Sequence, residues 1–364
     1  MKGHNISLLY APPFSIVARF FLTACLFGLL GSLLGVYMTL ENKLHLQSLV
    51  HAFTLGFAGM TMVGALFQML PVVAGVVIEN PLKKATYTHI TFSMGVIFLT
   101  VGFWKFNSIF LSVSILLLSI SLLYILSLML FKLFRIKNYS PTPSGMRYAL
   151  ASAILGTLLG IASLMSYLGI VPKELFPLLK NLHMNFMLLG WIGILISSVA
   201  FQVIEMFFVT SPYPRKFSKF FPPVIFLLIA LDAFEDTISR FVIPLGFIGF
   251  AFLTINLLIN RQRKVSDPLV GFWYTGMFFL IVSMIAFILS EADEYGFFIF
   301  LATYGMFVHS IILAMMYRII PFLVWLNLSN KGVPQAPTMH EVINPLRIRI
   351  HFYLHIALSR KSDL

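Results

Sequence analysis

Three histidines of this chain stand in long apolar stretches, where an imidazole has few polar neighbours. His51 lies near the start of LVHAFTLGFAGMTMVGALFQMLPVVAG, His183 begins HMNFMLLGWIGILI, and His309 lies in the middle of a third stretch. Neutral imidazole is a common metal ligand, and the ring also carries protons near neutral pH. The residue types therefore point to cofactor binding or proton transfer, and we take these three histidines as the candidate site residues.

Each of these histidines also has an ordinary structural interpretation. His51 could hydrogen-bond a neighbouring backbone carbonyl or Gln47, His183 could cap its helix, and His309 could bond to a neighbouring helix. His351 and His355 have the i, i+4 spacing of a helical metal site, but a third ligand is missing and a solvated tail is expected.

Other chemistry is poorly supported. The single cysteine, Cys25, excludes an intrachain disulfide and a zinc or iron–sulfur site built of thiolates. Met60, Met62, Met184 and Met187 could ligate Cu(I), but methionine is an ordinary filler of irregular cores, so copper is not expected. The chain shows no nucleophile elbow, P-loop or dinucleotide fingerprint, so an enzymatic activity is not predicted.

The composition indicates which solvent surrounds these residues. The chain is 59% hydrophobic and 10% charged, with a mean hydropathy of +0.93, whereas soluble domains carry about 25% charged residues. Lipid must therefore cover most of the surface, and we predict an all-α polytopic membrane protein.

A crossing needs about 20 mainly apolar residues, and ten stretches provide them: 14–39, 48–78, 87–104, 108–134, 147–170, 181–210, 220–238, 241–260, 268–290 and 296–327. The seventh is the weakest.

The basic residues predict the orientation of these spans. If both termini share one side, that side carries 18 of the 25 Lys and Arg residues, and the other side carries five. Loops rich in Lys and Arg stay in the cytoplasm. We therefore predict a multi-pass protein of the cytoplasmic (inner) membrane with both termini inside. The net charge of +12 is then a topology signal, and the lipid bilayer is the expected partner in place of nucleic acid.

The sequence also contains an internal repeat. GALFQMLP, from Gly64 to Pro71, aligns with SVAFQVIE at an offset of 134 and with AMMYRIIP at an offset of 250. One span earlier, GSLLG aligns with GTLLG, and both have the Gly-xxx-Gly spacing that lets helices pack closely in lipid. We predict parallel four-helix repeats over 1–140 and 141–264, a partial third repeat of two helices over 265–330, and a basic cytoplasmic tail over 331–364.

The repeat alignment predicts relative depths for the histidines. His183 lies two residues before the position equivalent to His51, which corresponds to about 3 Å of depth at 1.5 Å per residue. His309 aligns with Gly59, eight residues beyond His51, or about 12 Å. Because two ligands of one haem need nearly equal depth, the first pair suits a shared site and His51 with His309 does not.

Three four-helix units resemble subunit I of the haem–copper oxidases. HAF, then glycines, an aromatic residue and Leu-Pro resemble that family's second helix, whose histidine ligates a low-spin haem. The resemblance covers roughly residues 14–330 and implies haem b on His51. The segments LHMNFMLLGW and MMYRIIPFLVW are more similar to small subunit-I-like membrane proteins of bacteria.

The departures from that family are also informative. Its tenth-helix His-x-His falls on Ile299 and Leu301 here, and the predicted seventh span contains no histidine for the copper site. In that family the second and sixth helices do not share one haem, so the resemblance does not support His183 as the partner of His51. We therefore expect no terminal oxidase, but a haem-binding electron-transfer or sensing protein with a redox or assembly partner. A transporter or metal-handling protein, and a non-catalytic assembly or structural subunit, remain as alternatives.

Overall fold

The computed structural model describes residues 12–234, 236–290 and 294–360, and these residues are helical and contain no strand. Eleven helices longer than one turn follow each other along the chain: α1 Phe14–Leu40, α2 Leu46–Ala74, α3 Pro81–Lys105, α4 Ser108–Phe134, α5 Pro141–Tyr167, α6 Lys173–Phe208, α7 Arg215–Leu231, α8 Asp236–Ile259, α9 Pro268–Leu289, α10 Glu294–Asn330 and α11 Pro345–Arg360. Within the described ranges, nine helices are long and apolar enough to cross a membrane. The predicted class of α-helical multi-pass membrane protein is confirmed.

Helix α7 is the predicted span that falls outside these nine. Its 17 residues have a length of about 25 Å, against roughly 30 Å for the hydrocarbon core of a bilayer. Arg215, Lys216 and Lys219 lie in its first turns and shorten its apolar part further. The expectation of ten crossings is thus supported for nine helices, and the orientation of the termini stays a prediction.

The chain forms two compact units. The first comprises the described residues of Met1–Val199 and Lys219–Phe234, and the second those of Ala200–Ser218 and Glu235–Leu364. This division does not test the predicted repeat boundaries.

Small residues fix the helix contacts in the first unit. A side chain added at Gly31 would meet Ala52 at 3.3 Å, and one added at Gly35 would meet Leu49 at 3.6 Å. Helices α5 and α6 meet in the same manner. There, Gly156 lies against Phe186 and Met187, and Gly160 lies against His183.

Two long π-helical segments interrupt the α-helices of this unit. In α2 the segment is Ala52–Gly59, and in α6 it is Phe186–Gly193. Each has eight residues, and they are 134 positions apart, the same offset as in the sequence alignment. Such segments are rare and occur often at functional sites. His51 directly precedes the first, and His183 lies three residues before the second.

In the second unit, α11 packs on α9 and α10. Phe352 lies over Gly271, where an added side chain would meet its ring at 2.5 Å, and its ring centroid is 5.1 Å from that of Phe272. His355 is 5% exposed. The expectation of a solvated tail is therefore wrong for this helix. Its apolar and aromatic side chains pack between α9 and α10. The basic residues that surround them in the sequence made this burial hard to predict.

Candidate functional site

The first unit brings His51 of α2 and His183 of α6 together. Their ring centroids are 6.2 Å apart, and their planes are inclined by only 14°. The depth argument from the sequence predicts this pairing. His51 is the sixth residue of α2 and His183 the eleventh of α6, so the pair lies in the N-terminal third of both helices.

Backbone hydrogen bonds hold both rings in the same way. Nδ1 of His51 is 2.7 Å from the carbonyl oxygen of Gln47, and Nδ1 of His183 is 2.7 Å from that of Gly156. A carbonyl oxygen only accepts hydrogen bonds, so each Nδ1–H donates. In the neutral rings, Nε2 then carries the free lone pair. The bond to a backbone carbonyl, offered above as the ordinary interpretation of His51, is thus present.

That bond does not compete with a ligand role. Histidines that bind metals almost always donate their other ring N–H to a carbonyl or carboxylate, which fixes the tautomer and the ring orientation. Both histidines already have this arrangement on the backbone of their own helix or of a neighbouring one. The pair therefore presents two oriented imidazoles whose Nε2 atoms are available as donors.

Gly160 provides the space for the His183 ring. A side-chain carbon added at this glycine would lie 2.6 Å from Cε1 and 2.7 Å from Nδ1 of His183. Contacts this short are not tolerated, so any larger residue would displace the ring. The Gly-xxx-Gly pair of α5 thus does more than bring two helices together, because its second glycine positions a candidate ligand.

Aromatic side chains cover the pair on the side of α3 and α5. The ring of Phe103 lies 5.5 Å from that of His51, with their planes inclined by 23°, and Tyr167 follows at 6.1 Å from Phe103. Phe176 extends the cluster at 6.2 Å from Tyr167. The sequence analysis missed these residues. They could have been predicted, because they lie at the same end of neighbouring antiparallel helices as the two histidines.

Asn185, which the repeat alignment places at the position of His51, has a different partner. Its Nδ2 donates to Oδ2 of Asp232 at 2.7 Å, and Asn181 donates to the same oxygen at 3.4 Å. These bonds join α6 to the end of α7. The position that holds a histidine in α2 therefore has a structural role in α6, and His183 supplies the imidazole from one half-turn earlier.

His309 lies in the second unit, beside the C-terminal helix. Its ring centroid is 5.4 Å from that of His355, with planes inclined by 16°. Ser310 Oγ is 2.7 Å from the carbonyl of Met306 and 2.8 Å from Nε2 of His355. Because the single serine proton goes to Met306, Nε2–H of His355 must donate to Ser310. One turn earlier, Nδ1 of His351 is 2.6 Å from the Tyr317 hydroxyl.

Burial changes the titration of the two histidines on α11, which is not one of the membrane-crossing helices. It lowers the pKa of His355 from 6.5 to about 4, and the neighbouring His351 contributes to this shift. The pKa of His351 is lowered as well, again because of burial. The neutral rings are thus the stable form while α11 is docked.

The described part of the chain contains no group of three or more His, Cys, Asp or Glu side chains placed to hold a metal ion. The donor set of the first unit is accordingly two imidazoles. Comparisons with protein-family models, curated proteins and solved structures gave no significant match.

Proposed function

We propose that the first unit binds one haem b between His51 and His183 and that the protein serves in electron transfer across or along the membrane. The observation that carries this proposal is the matched pair of Nδ1–H bonds to backbone carbonyls, at 2.7 Å each. It leaves both Nε2 atoms unprotonated and oriented, which is the state that axial ligation requires.

The spacing of the rings supports ligation of a single iron. Bonds from imidazole nitrogen to a metal are about 2.0–2.1 Å long. At these bond lengths, two imidazoles that held one ion between them would have ring centroids roughly 6 Å apart. The observed separation of 6.2 Å is compatible with this arrangement.

The number of donors favours haem over an isolated ion. A structural zinc site takes four protein ligands and a catalytic one takes three, whereas haem iron receives four nitrogens from its porphyrin and needs two axial ligands from the protein. His51 and His183 supply two. The porphyrin would be covered by the neighbouring aromatic cluster of Phe103, Tyr167 and Phe176.

Bound haem would supply reversible one-electron chemistry, with a potential set by its ligands and by its burial. The residues of the chain hold and orient the group. The carbonyls of Gln47 and Gly156 would raise the basicity of the two imidazoles, and Phe103 packs against the ring of His51.

The arrangement of four-helix repeats belongs to the same proposal. The contacts of Gly31 and Gly156 involve residues 52 and 186, and the two π-helical segments share the offset of 134. These correspondences support parallel repeats similar to those of haem–copper oxidase subunit I. The proposed ligands lie on α2 and α6, whereas the family pairs its second and tenth helices. We propose a haem site that differs from that of the family in its second ligand.

The test is a reduced-minus-oxidised visible spectrum of the protein, expressed with ample haem and purified in mild detergent, with iron quantified. We expect a sharp b-type band at one haem per chain, lost in His51→Ala and in His183→Ala. His45→Ala is the matched control, because His45 precedes α2 and its ring contacts Phe106 at 5.0 Å. A featureless spectrum without iron would refute the proposal. Stoichiometric zinc or copper in its place would favour a metal-handling protein.

A further inference from the structure

A cleft opens between α3 and α4, at the ends of these helices that the charge distribution predicts to face the cytoplasm. Its volume is about 470 Å³, and five residues line it: Lys83, Lys84, Tyr87, Ile120 and Tyr124. It lies outside the histidine sites described above. The cleft faces outward, since Tyr87 is 46% exposed and Tyr124 is 43% exposed.

The lining changes from charged to apolar along the helix axes. Lys83 and Lys84 lie in the first turn of α3, and Tyr87 follows one turn later. Tyr87 packs edge to face on Tyr124 of α4, with ring centroids 5.9 Å apart. Ile120 lies one further turn along α4, and each turn advances about 5.4 Å. Charge, aromatic ring and aliphatic side chain follow in the order of a membrane interface.

The charged end of the cleft has an excess of positive charge. Glu79 accepts a hydrogen bond from Lys132 at 2.6 Å and lies 3.8 Å from Lys84. The bond from Lys132 lowers the pKa of Glu79, which is therefore ionised. Lys83 is exposed, and no carboxylate pairs with it among the described residues. Lys83, Lys84 and Lys132 carry three positive charges at this end, whereas Glu79, which lies beside Lys84 and Lys132, carries one negative charge. A bound anion would balance part of this excess.

The backbone adds two further features. Pro81 begins α3, so the amide groups of the first turn and the positive end of the helix dipole lie beside the two lysines. In α4, the segment Ser119–Leu123 is π-helical and includes Ile120 of the cleft wall. The cleft therefore coincides with an irregularity of the kind that recurs at functional sites.

We propose that this cleft binds an anionic phospholipid, with its phosphate at Lys83 and Lys84 and one acyl chain along Tyr87, Tyr124 and Ile120. Basic pockets between membrane helices on the cytoplasmic side recognise such headgroups. The apolar wall distinguishes this site from a simple anion site. A free phosphate would use the lysines alone, whereas a lipid uses both ends of the cleft.

The test is native mass spectrometry of the detergent-solubilised protein with dioleoyl phosphatidylglycerol, and with dioleoyl phosphatidylcholine as the zwitterionic reference. We expect one tightly bound phosphatidylglycerol, whose affinity falls roughly tenfold or more in Lys83→Gln/Lys84→Gln, at about 1 kcal/mol for each basic residue near the surface. Lys216→Gln/Lys219→Gln removes two lysines of α7 on the same predicted side and should leave this binding unchanged.

A second variant tests the apolar wall. Tyr124→Ala keeps every charge and should weaken phosphatidylglycerol binding several-fold. Equal binding of the two lipids, unchanged binding in the cleft lysine variant, an equal loss in the α7 control or displacement of the lipid by inorganic phosphate would each overturn the proposal. Size-exclusion profiles confirm that each variant is folded before it is compared.

Discussion

The two units each hold a pair of nearly parallel histidine rings, and the pairs differ in the partners of their ring nitrogens. In the first unit, Nδ1 of His51 and Nδ1 of His183 both donate to backbone carbonyls. In the second, the parallel rings are those of His309 and His355, and His355 donates through Nε2 to Ser310. His351, one turn before His355, lies 2.6 Å from the hydroxyl of Tyr317. The two pairs thus have similar ring geometry but different hydrogen-bond partners: backbone carbonyls in the first unit and hydroxyl groups in the second.

This difference shows that the distance between two histidine rings does not by itself define a ligand pair. Backbone carbonyls cannot exchange donor and acceptor roles, so they fix one tautomer and leave Nε2 free. Hydroxyl groups can do both, so the bonds of the second pair can adapt when a proton is gained or lost. The proposal therefore gives cofactor binding to His51 and His183, and we propose that His309, His351 and His355 form a proton-dependent contact of α11.

The largest effect should come from Gly160→Ala, which tests the first pair without removing a histidine. The added carbon would lie 2.6 Å from the His183 ring, and overpacking of this kind costs about 1–3 kcal/mol. We expect the haem affinity to fall about tenfold or more, as measured by titration of the apoprotein with haem. Gly35→Ala is the matched control, because its added carbon meets Leu49 at an ordinary 3.6 Å. Equal losses in both variants would show that Gly160 does not position the ligand.

A pH dependence should follow in the second unit. The pKa of His355 is about 4 in the docked helix and 6.5 without burial, so the undocked state binds more protons. Docking of α11 should be constant above about pH 6.5 and weaken as the pH falls towards 4, by up to tenfold per pH unit. The groups that face this ring are His309 and Ser310 of α10, Phe272 of α9 and His351 of α11 itself.

Double electron–electron resonance, which measures the distance between two spin labels, can follow the undocking of α11. Spin labels at the exposed positions of Leu354 and Phe298 report on the position of α11 against α10, after the exposed Cys25 is replaced by serine. His355→Phe keeps a ring in the groove and should remove most of the pH dependence. The same dependence in this variant would contradict the assignment.

The smallest effect should come from Tyr317→Phe. It removes the 2.6 Å bond to His351, and a single hydrogen bond contributes about 0.5–1.5 kcal/mol. The docking equilibrium constant of α11 at neutral pH should decrease by roughly two- to tenfold on the same distance measurement. Tyr353→Phe alters an exposed hydroxyl on α11 itself and should have no effect. If both variants behave alike, the Tyr317 bond does not hold the helix.

Much of this architecture could be predicted from the sequence, because apolar runs of membrane length define helices almost by themselves. The repeat offset and the rise per residue also predicted nearly equal depths for His51 and His183, but not that α2 and α6 would bring the two rings together. The burial of the tail could not be predicted, although the segment RIRIHFYLHIALS resembles the start of a helix. Helix α11 carries Arg347 and Arg349 beside Phe352 and His355, and its burial depends on a groove formed by distant helices. The role of Phe103 was missed for the same reason.

The central claim is that His51 and His183, and not the second pair, ligate one haem. Electron paramagnetic resonance of the oxidised protein tests it most directly, because two axial imidazoles give a low-spin ferric signal. We predict this signal in the wild type, in His309→Ala and in His355→Ala, and its loss in His51→Ala and in His183→Ala. Loss of the signal in the second-unit variants, with retention in the first-unit variants, would contradict the account.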